Sequence, residues 1–204
     1  MSLIINFFGG PGIGKSTQAS GLFTKMKKNQ MNVEQTYEFP KLMAWEENYS
    51  AVKDQFYITA NQHRNITRLY NKVDYIIVDS PIILGLIYKE RYNTKPEYPS
   101  MFYDETFDEF IIKLFKNYNS LNVLLVRDDI TYDNIGRLQN LEESKLIDED
   151  IKQQLITNEI PFVEFKVNNN TTTNIFNYLT QAVKSSFVNS YGMFQPIGPN
   201  FLLS

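Results

Sequence analysis

The chain of 204 residues contains no cysteine and a single histidine, His63. Disulfides, thiolate nucleophiles and cysteine-based zinc sites are therefore excluded, and a histidine-based metal centre has almost no material to form from. Positive charge is not in surplus either: 20 Lys and Arg stand against 23 Asp and Glu, a net charge of −3. A protein whose main task is to grip a nucleic-acid backbone ordinarily carries a basic excess, so that class is disfavoured, although a local basic cleft is compatible with the total. No apolar run approaches the length of a membrane span. The start, Met1-Ser2-Leu3-Ile4-Ile5-Asn6-Phe7-Phe8, lacks both the basic residues and the length of a signal peptide. The expectation is a cytoplasmic protein without membrane association. Internal repeats and Gly/Ser-rich linkers are also missing.

What is present fits one globular α/β domain over 1–204. Hydrophobic residues make up 43% and charged residues 21%, close to the average for folded domains. The 15 Phe and 13 Tyr read first as core, with tyrosines outside the strands free to stack on a flat ligand. Five short apolar runs read as strands: Leu3–Phe8, Asn32–Tyr37, Tyr75–Asp79, Asn122–Arg127 and Phe162–Val167. Ile76-Ile77-Val78 and Val123-Leu124-Leu125-Val126 are nearly continuous, as in parallel strands buried on both faces. Helical patterns alternate with them over 16–29, 51–70, 104–118, 141–158 and 172–187. In 51–70 the expected buried stripe is Val52, Phe56, Ala60, His63, Ile66 and Tyr70. This alternation predicts a parallel sheet covered by helices. The least regular stretches are 89–103, with Pro96 and Pro99, and an expected irregular tail over 188–204.

The sharpest motif follows the first strand. Gly9-Gly10-Pro11-Gly12-Ile13-Gly14-Lys15-Ser16 matches G-x-x-x-x-G-K-[ST] in full. Glycines let the backbone bring its N–H groups to phosphate oxygens, and the helix that follows aims its positive end at the same anion. Lys15 is expected on the β- and γ-phosphates and the Ser16 hydroxyl on Mg²⁺, with Thr17 completing the nucleotide-binding set. A chance match in a chain of this length is on the order of 1%, and the strand before and amphipathic helix after reduce it further. The alternative is a glycine-rich turn with a stray lysine. Asp79, where Tyr75-Ile76-Ile77-Val78 ends, is the expected second acid at the metal. The bland reading is a helix cap.

Two neighbouring classes are excluded. Asn71-Lys72-Val73-Asp74 spells the N-K-x-D of guanine readers, but it precedes the strand carrying Asp79, and Ser80-Pro81-Ile82 after Asp79 is no D-x-x-G. A polar helix-to-strand turn explains it better. Ring-forming motor ATPases need a helical lid domain and an arginine acting in trans, whereas one helix and a tail follow the fifth strand here.

An acceptor would sit over the carboxyl ends of the strands. Glu38, in Tyr37-Glu38-Phe39-Pro40, is placed to take the proton of an attacking hydroxyl. As an alternative it is a solvated residue before a turn. Gln62 can pair with a base edge and Arg64 with a phosphate. His63 reads as a packed residue rather than a catalyst. Tyr88 joins the acceptor-side set. A lid is expected over about 128–141, and Arg137 after Gly136 is the first choice for neutralising the transferring group, Arg127 the second. Solvated surface charge is the competing explanation for both.

Phe8 to Thr17, the Glu38 strand end, Gln62-His63-Arg64, Val78-Asp79-Ser80-Pro81 and Gly136-Arg137 together resemble small P-loop kinases over about residues 3–165. The nearest are the ribosylnicotinamide-kinase-like ATPases common in bacteriophage genomes; deoxynucleoside and nucleoside monophosphate kinases are similar more loosely. The chain departs from the deoxynucleoside kinases where Phe39 separates Glu38 from Pro40 and where Asp79-Ser80-Pro81 lacks their arginine. The resemblance implies a five-stranded parallel sheet of order 2-3-1-4-5 with a lid. It also implies ATP and Mg²⁺ as cofactors, transfer to a small nucleoside, nucleotide or ribosyl-cofactor precursor, and host cytoplasm for a phage-encoded protein. A nucleotide-dependent switch, and a kinase for modified bases in DNA, are the alternatives.

Overall fold

Leu3–Phe8 forms β1, and all six residues are buried because β1 is the middle strand of the sheet. A computed structural model describes residues 1–92, 105–127 and 140–188. The remaining strands are β2 (Val33–Gln35), β3 (Tyr75–Val78), β4 (Ser120–Val126) and β5 (Val163–Lys166), in the order β2-β3-β1-β4-β5. Every pairing is parallel, with Ile5 opposite Ile77 on one side of β1 and Leu121 on the other. The helices are α1 (Lys15–Lys28), α2 (Phe39–Trp45), α3 (Tyr49–Lys53), α4 (Gln55–Thr67), α5 (Gly85–Tyr92), α6 (Glu105–Lys116), α7 (Leu141–Thr157) and α8 (Thr171–Val188).

The period-2 alternation of β1 divides the core. Leu3, Ile5 and Phe7 pack with Leu22 and Met26 of α1 and with Ile175 and Leu179 of α8. Ile4 and Phe8 face the opposite layer, where Ile87, Phe107, Ile111, Phe115, Ile147 and Ile151 come from α5, α6 and α7. Asn6 points into that second layer, and its Nδ2 donates to Asn122 Oδ1 at 2.9 Å, while Asn122 Nδ2 donates to the Pro161 carbonyl at 2.9 Å. The polar pair is therefore satisfied where it is buried.

Several expectations need correcting. The second strand is three residues long, not Asn32–Tyr37, and Tyr37 is 77% exposed. The single helix over 51–70 is two helices. Asp54, at φ −78 and ψ 93, leaves helical geometry and starts α4 by accepting from Tyr57 N–H at 3.0 Å. That break resets the helical phase. The buried face of α4 is Gln55, Ile58, Thr59, Gln62 and Ile66, while Phe56 and Ala60 are exposed. Helices α2 and α5 were not anticipated. Asn71 stands in a turn with φ 62 ahead of β3, its N–H donating to Ser2 Oγ at 2.9 Å, so N-K-x-D is structural. The expected lid, with Arg137, and the tail lie largely outside the described residues.

Candidate functional site

The loop between β1 and α1 lies at the carboxyl end of the central strand, where parallel sheets place ligand sites. Ile13 is buried in the core layer that also holds Phe7, Ala19 and Leu125 and anchors the loop from beneath, so only its backbone is available to a ligand. Gly14 caps α1 in the left-handed region, φ 96 and ψ 20, which an L side chain rarely adopts. The cap offers no side-chain hydrogen bond and the first turn of α1 carries no acid. The positive end of α1 is thus left for an external anion.

Lys15 folds back over the loop, its Nζ donating to the Gly9 carbonyl at 2.7 Å and the Gly10 carbonyl at 3.2 Å. Burial pushes its pKa below the usual lysine value. The carboxylates of Glu38, Asp79 and Asp148 oppose that shift, and Arg127 adds to it. These five charged side chains, from α1, the approach to α2, the end of β3, the end of β4 and α7, therefore share one site.

Asp79 is 4% exposed. Its pKa is raised to about 6, first by burial and second by the Glu38 charge, against a hydrogen bond from Ser16 and the attraction of Lys15. Its Oδ1 has no hydrogen-bonding partner. A buried carboxylate oxygen without a partner beside a serine hydroxyl suits a hard cation that takes oxygen ligands and keeps much of its own hydration. No cluster of three acidic, His or Cys residues suited to a metal occurs among the described residues. The donors thus fit Mg²⁺ carried in with phosphates better than a metal held by protein alone.

A cleft of about 360 Å³ runs from Gly12, Gly14, Lys15, Ser16 and Thr17 to a second wall made by Glu38, Pro40, Trp45, Gln55, Gln62 and Tyr88. Glu38 is half-buried at the N-cap of α2, with no cap bond from its side chain. Gln62 is buried, and its Nε2 donates to Ser80 Oγ at 2.8 Å. Arg64 points to solvent from the other side of α4 and does not line the cleft. His63 is half-buried, its ring 6.1 Å from that of Tyr118, and burial lowers its pKa. Arg127 is drawn onto the loop: Nη2 donates to the Pro11 carbonyl and Nε pairs with Asp148.

Sequence reasoning missed Lys41, Trp45, Ser80 and Asp148. The first two lie on α2, hidden because Pro40 reads as a turn although proline is at home in a first helical turn. Nothing separates Asp148 from its acidic neighbours in Glu142-Glu143-Ser144-Lys145-Leu146-Ile147-Asp148-Glu149-Asp150 except the fold.

A parallel sheet in this order, with a glycine-rich loop after its central strand and a lysine folded over it, defines a P-loop nucleotide-binding fold of kinase-like form. Comparison with family models agrees, the AAA domain matching residues 4–171, and the chain belongs to that family. Among solved structures it is similar to a NadR protein in complex with NR, at TM-score 0.65 and 14% identity, covering 98% of this chain and 53% of that one. The chain thus spans about half the length of that protein. It is also similar to thymidylate kinase from Ehrlichia chaffeensis, at TM-score 0.57 and 15% identity, covering 89% of this chain and 98% of that one. A search of curated proteins by sequence gave no match. After β5 the described residues hold α8 alone. No helix among the described residues is long and apolar enough to cross a membrane.

Proposed function

We propose that this chain is a kinase that transfers the γ-phosphoryl group of ATP to a hydroxyl of a small nucleoside, nucleotide or ribosyl-cofactor precursor. The observation that carries the proposal is the continuity of the cleft, which joins the loop lysine to a second wall where the half-buried Glu38 carboxylate, not used in capping α2, lines the same space. A switch protein needs the first half only. The thymidylate kinase fold and a NadR protein seen with NR support a small-molecule acceptor in the second half.

In this reading the amides at the start of α1 and Lys15 hold the triphosphate, and Lys15 follows the charge that moves to the bridging oxygen as the bond to the γ-phosphorus breaks. Ser16 and Asp79 would hold Mg²⁺, which supplies charge neutralisation on the phosphate oxygens. Glu38 orients the acceptor hydroxyl and takes its proton as the oxygen bonds to phosphorus. The leaving nucleoside diphosphate keeps the electron pair of the broken bond. Gln62 and Tyr88 position the acceptor, and Trp45 closes the outer wall. Arg127 steadies the loop from the Pro11 carbonyl.

Incubation with γ-labelled ATP, Mg²⁺ and a panel of nucleosides, nucleotides, ribosyl compounds and DNA tests the reading. Label on a small molecule is the expected result. Free phosphate alone points to a switch, and label on polymer to a nucleic-acid kinase. Either outcome overturns the proposal.

A further inference from the structure

Helix α7 reaches the loop through one side chain. Asp148 accepts from Gly10 N–H with Oδ1 and from Arg127 Nε–H with Oδ2, and Arg127 Nη2 donates to the Pro11 carbonyl. The four groups close a ring: two consecutive loop residues, one carboxylate, one guanidinium. We propose that Asp148 is a positioning residue for the phosphate-binding loop, fixing the Gly10 amide and the Arg127 guanidinium together so that the loop is preshaped before a nucleotide arrives. The inference rests on reading residues 9–16 as that loop.

Three features support it. The first is closeness. A Cβ on Gly10 would fall 2.5 Å from the Ser144 carbonyl and 2.8 Å from Asp148 Oδ1, so α7 lies directly on the loop and only glycine fits. The second is rigidity of the support. Asn140 and Glu143 form a capping box at the start of α7, and Ile147 and Ile151, which flank Asp148, are buried in the core. A residue carried on such a helix holds its rotamer better than one on a loop. The third is electrostatic. Pairing with Asp148 neutralises Arg127 beside the loop, with side-chain exposures of 14% for the arginine and 21% for the aspartate. The Asp148 charge also opposes the effect of burial on Lys15, alongside Glu38 and Asp79. A carboxylate satisfies two donors from opposite sides, which an amide of the same shape cannot do, since its NH₂ would confront one of them.

The test uses the full chain labelled with ¹⁵N, and the Asp148→Asn and Arg127→Met variants with their double. In Asp148→Asn the Gly10 amide proton is expected to move upfield and to exchange about tenfold faster, as a charge-assisted acceptor is lost. Each single variant is expected to bind Mg-ADP about tenfold more weakly. The double should be about tenfold weaker as well, not a hundredfold, because both changes open the same ring. Thermal midpoints of the variants separate this from general loosening. A Gly10 resonance unmoved by Asp148→Asn, or losses that multiply in the double, overturns the proposal. If Asp148→Asn does not fold, the Gly10 resonance in Arg127→Met reads the ring from its other side, and no change there is equally fatal. Should the parent protein bind no Mg-ADP, the nucleotide reading fails, while the Gly10 resonance still decides whether Asp148 holds the loop.

Discussion

The two halves of the cleft are built differently. On the phosphate side the loop is held on every flank: Ile13 in the core beneath, Lys15 on the carbonyls of Gly9 and Gly10, and Asp148 with Arg127 across the top. On the side proposed for the acceptor, α2 and α3 are seven and five residues long and pack through a small cluster of Met43, Val52 and Ile58. That side exposes Leu42, Trp45 and Tyr49. Triphosphates are the same for every kinase, so a fixed cradle suits them, and preorganisation strengthens its electrostatics. A lightly packed acceptor wall can change its side chains at small cost to folding, which is where substrate choice would vary.

That contrast predicts a gradient of effects. Lys15→Ala should abolish transfer, by at least about a thousandfold, because positioning and charge on the phosphates do most of the work in this chemistry. Its thermal midpoint should stay close to the parent's, since burial already disfavours the charged lysine. Retained turnover in that variant would break the phosphate half of the account. Glu38→Gln is expected to lower kcat by about 10²–10⁴-fold while Mg-ATP affinity is preserved. An equal loss of affinity would place Glu38 with the nucleotide instead.

Asp79 gives a pH test. Its folded-state pKa of about 6 lies above the ordinary 3.8, so the charged carboxylate weakens the ligand-free fold. The penalty is absent below about pH 4, grows as pH rises, and is complete above about pH 6. Asp79→Asn should therefore stabilise the ligand-free protein by roughly 1–3 kcal/mol at pH 7.5 and have little effect at pH 4, as read by denaturant melts. Parent Mg-nucleotide affinity should also fall as pH drops through about 6, because protonation removes the metal's carboxylate. A pH-independent affinity would remove Asp79 from the metal. The smallest expected effect is at Trp45, 69% exposed. Trp45→Ala should change stability by less than about 0.5 kcal/mol yet raise the acceptor KM several-fold, the reverse of what a packing residue does.

Legibility in the sequence follows the same division. Strands β1, β3 and β4 could be read because burial on both faces makes them nearly continuously apolar, and the loop because its backbone chemistry dictates its glycines. Helix α5 escaped because its start, Gly85-Leu86-Ile87, continues the fully buried run Ile82-Ile83-Leu84 and shows no helical period. The stripe assigned to 51–70 failed at Asp54, a residue that favours caps over helix interiors. Gln62 was picked out for its chemistry and lines the cleft, whereas Arg64, two residues later on α4, points to solvent. Asp148 acts across 138 positions of sequence from Gly10, and no local pattern encodes such a contact.

Titration calorimetry with Mg-ATP addresses the anion cradle most directly. The account predicts saturable one-site binding to the parent chain and to Glu38→Gln, and loss of that heat in Lys15→Ala. Absence of heat with the parent, or equal heat with Lys15→Ala, would contradict it.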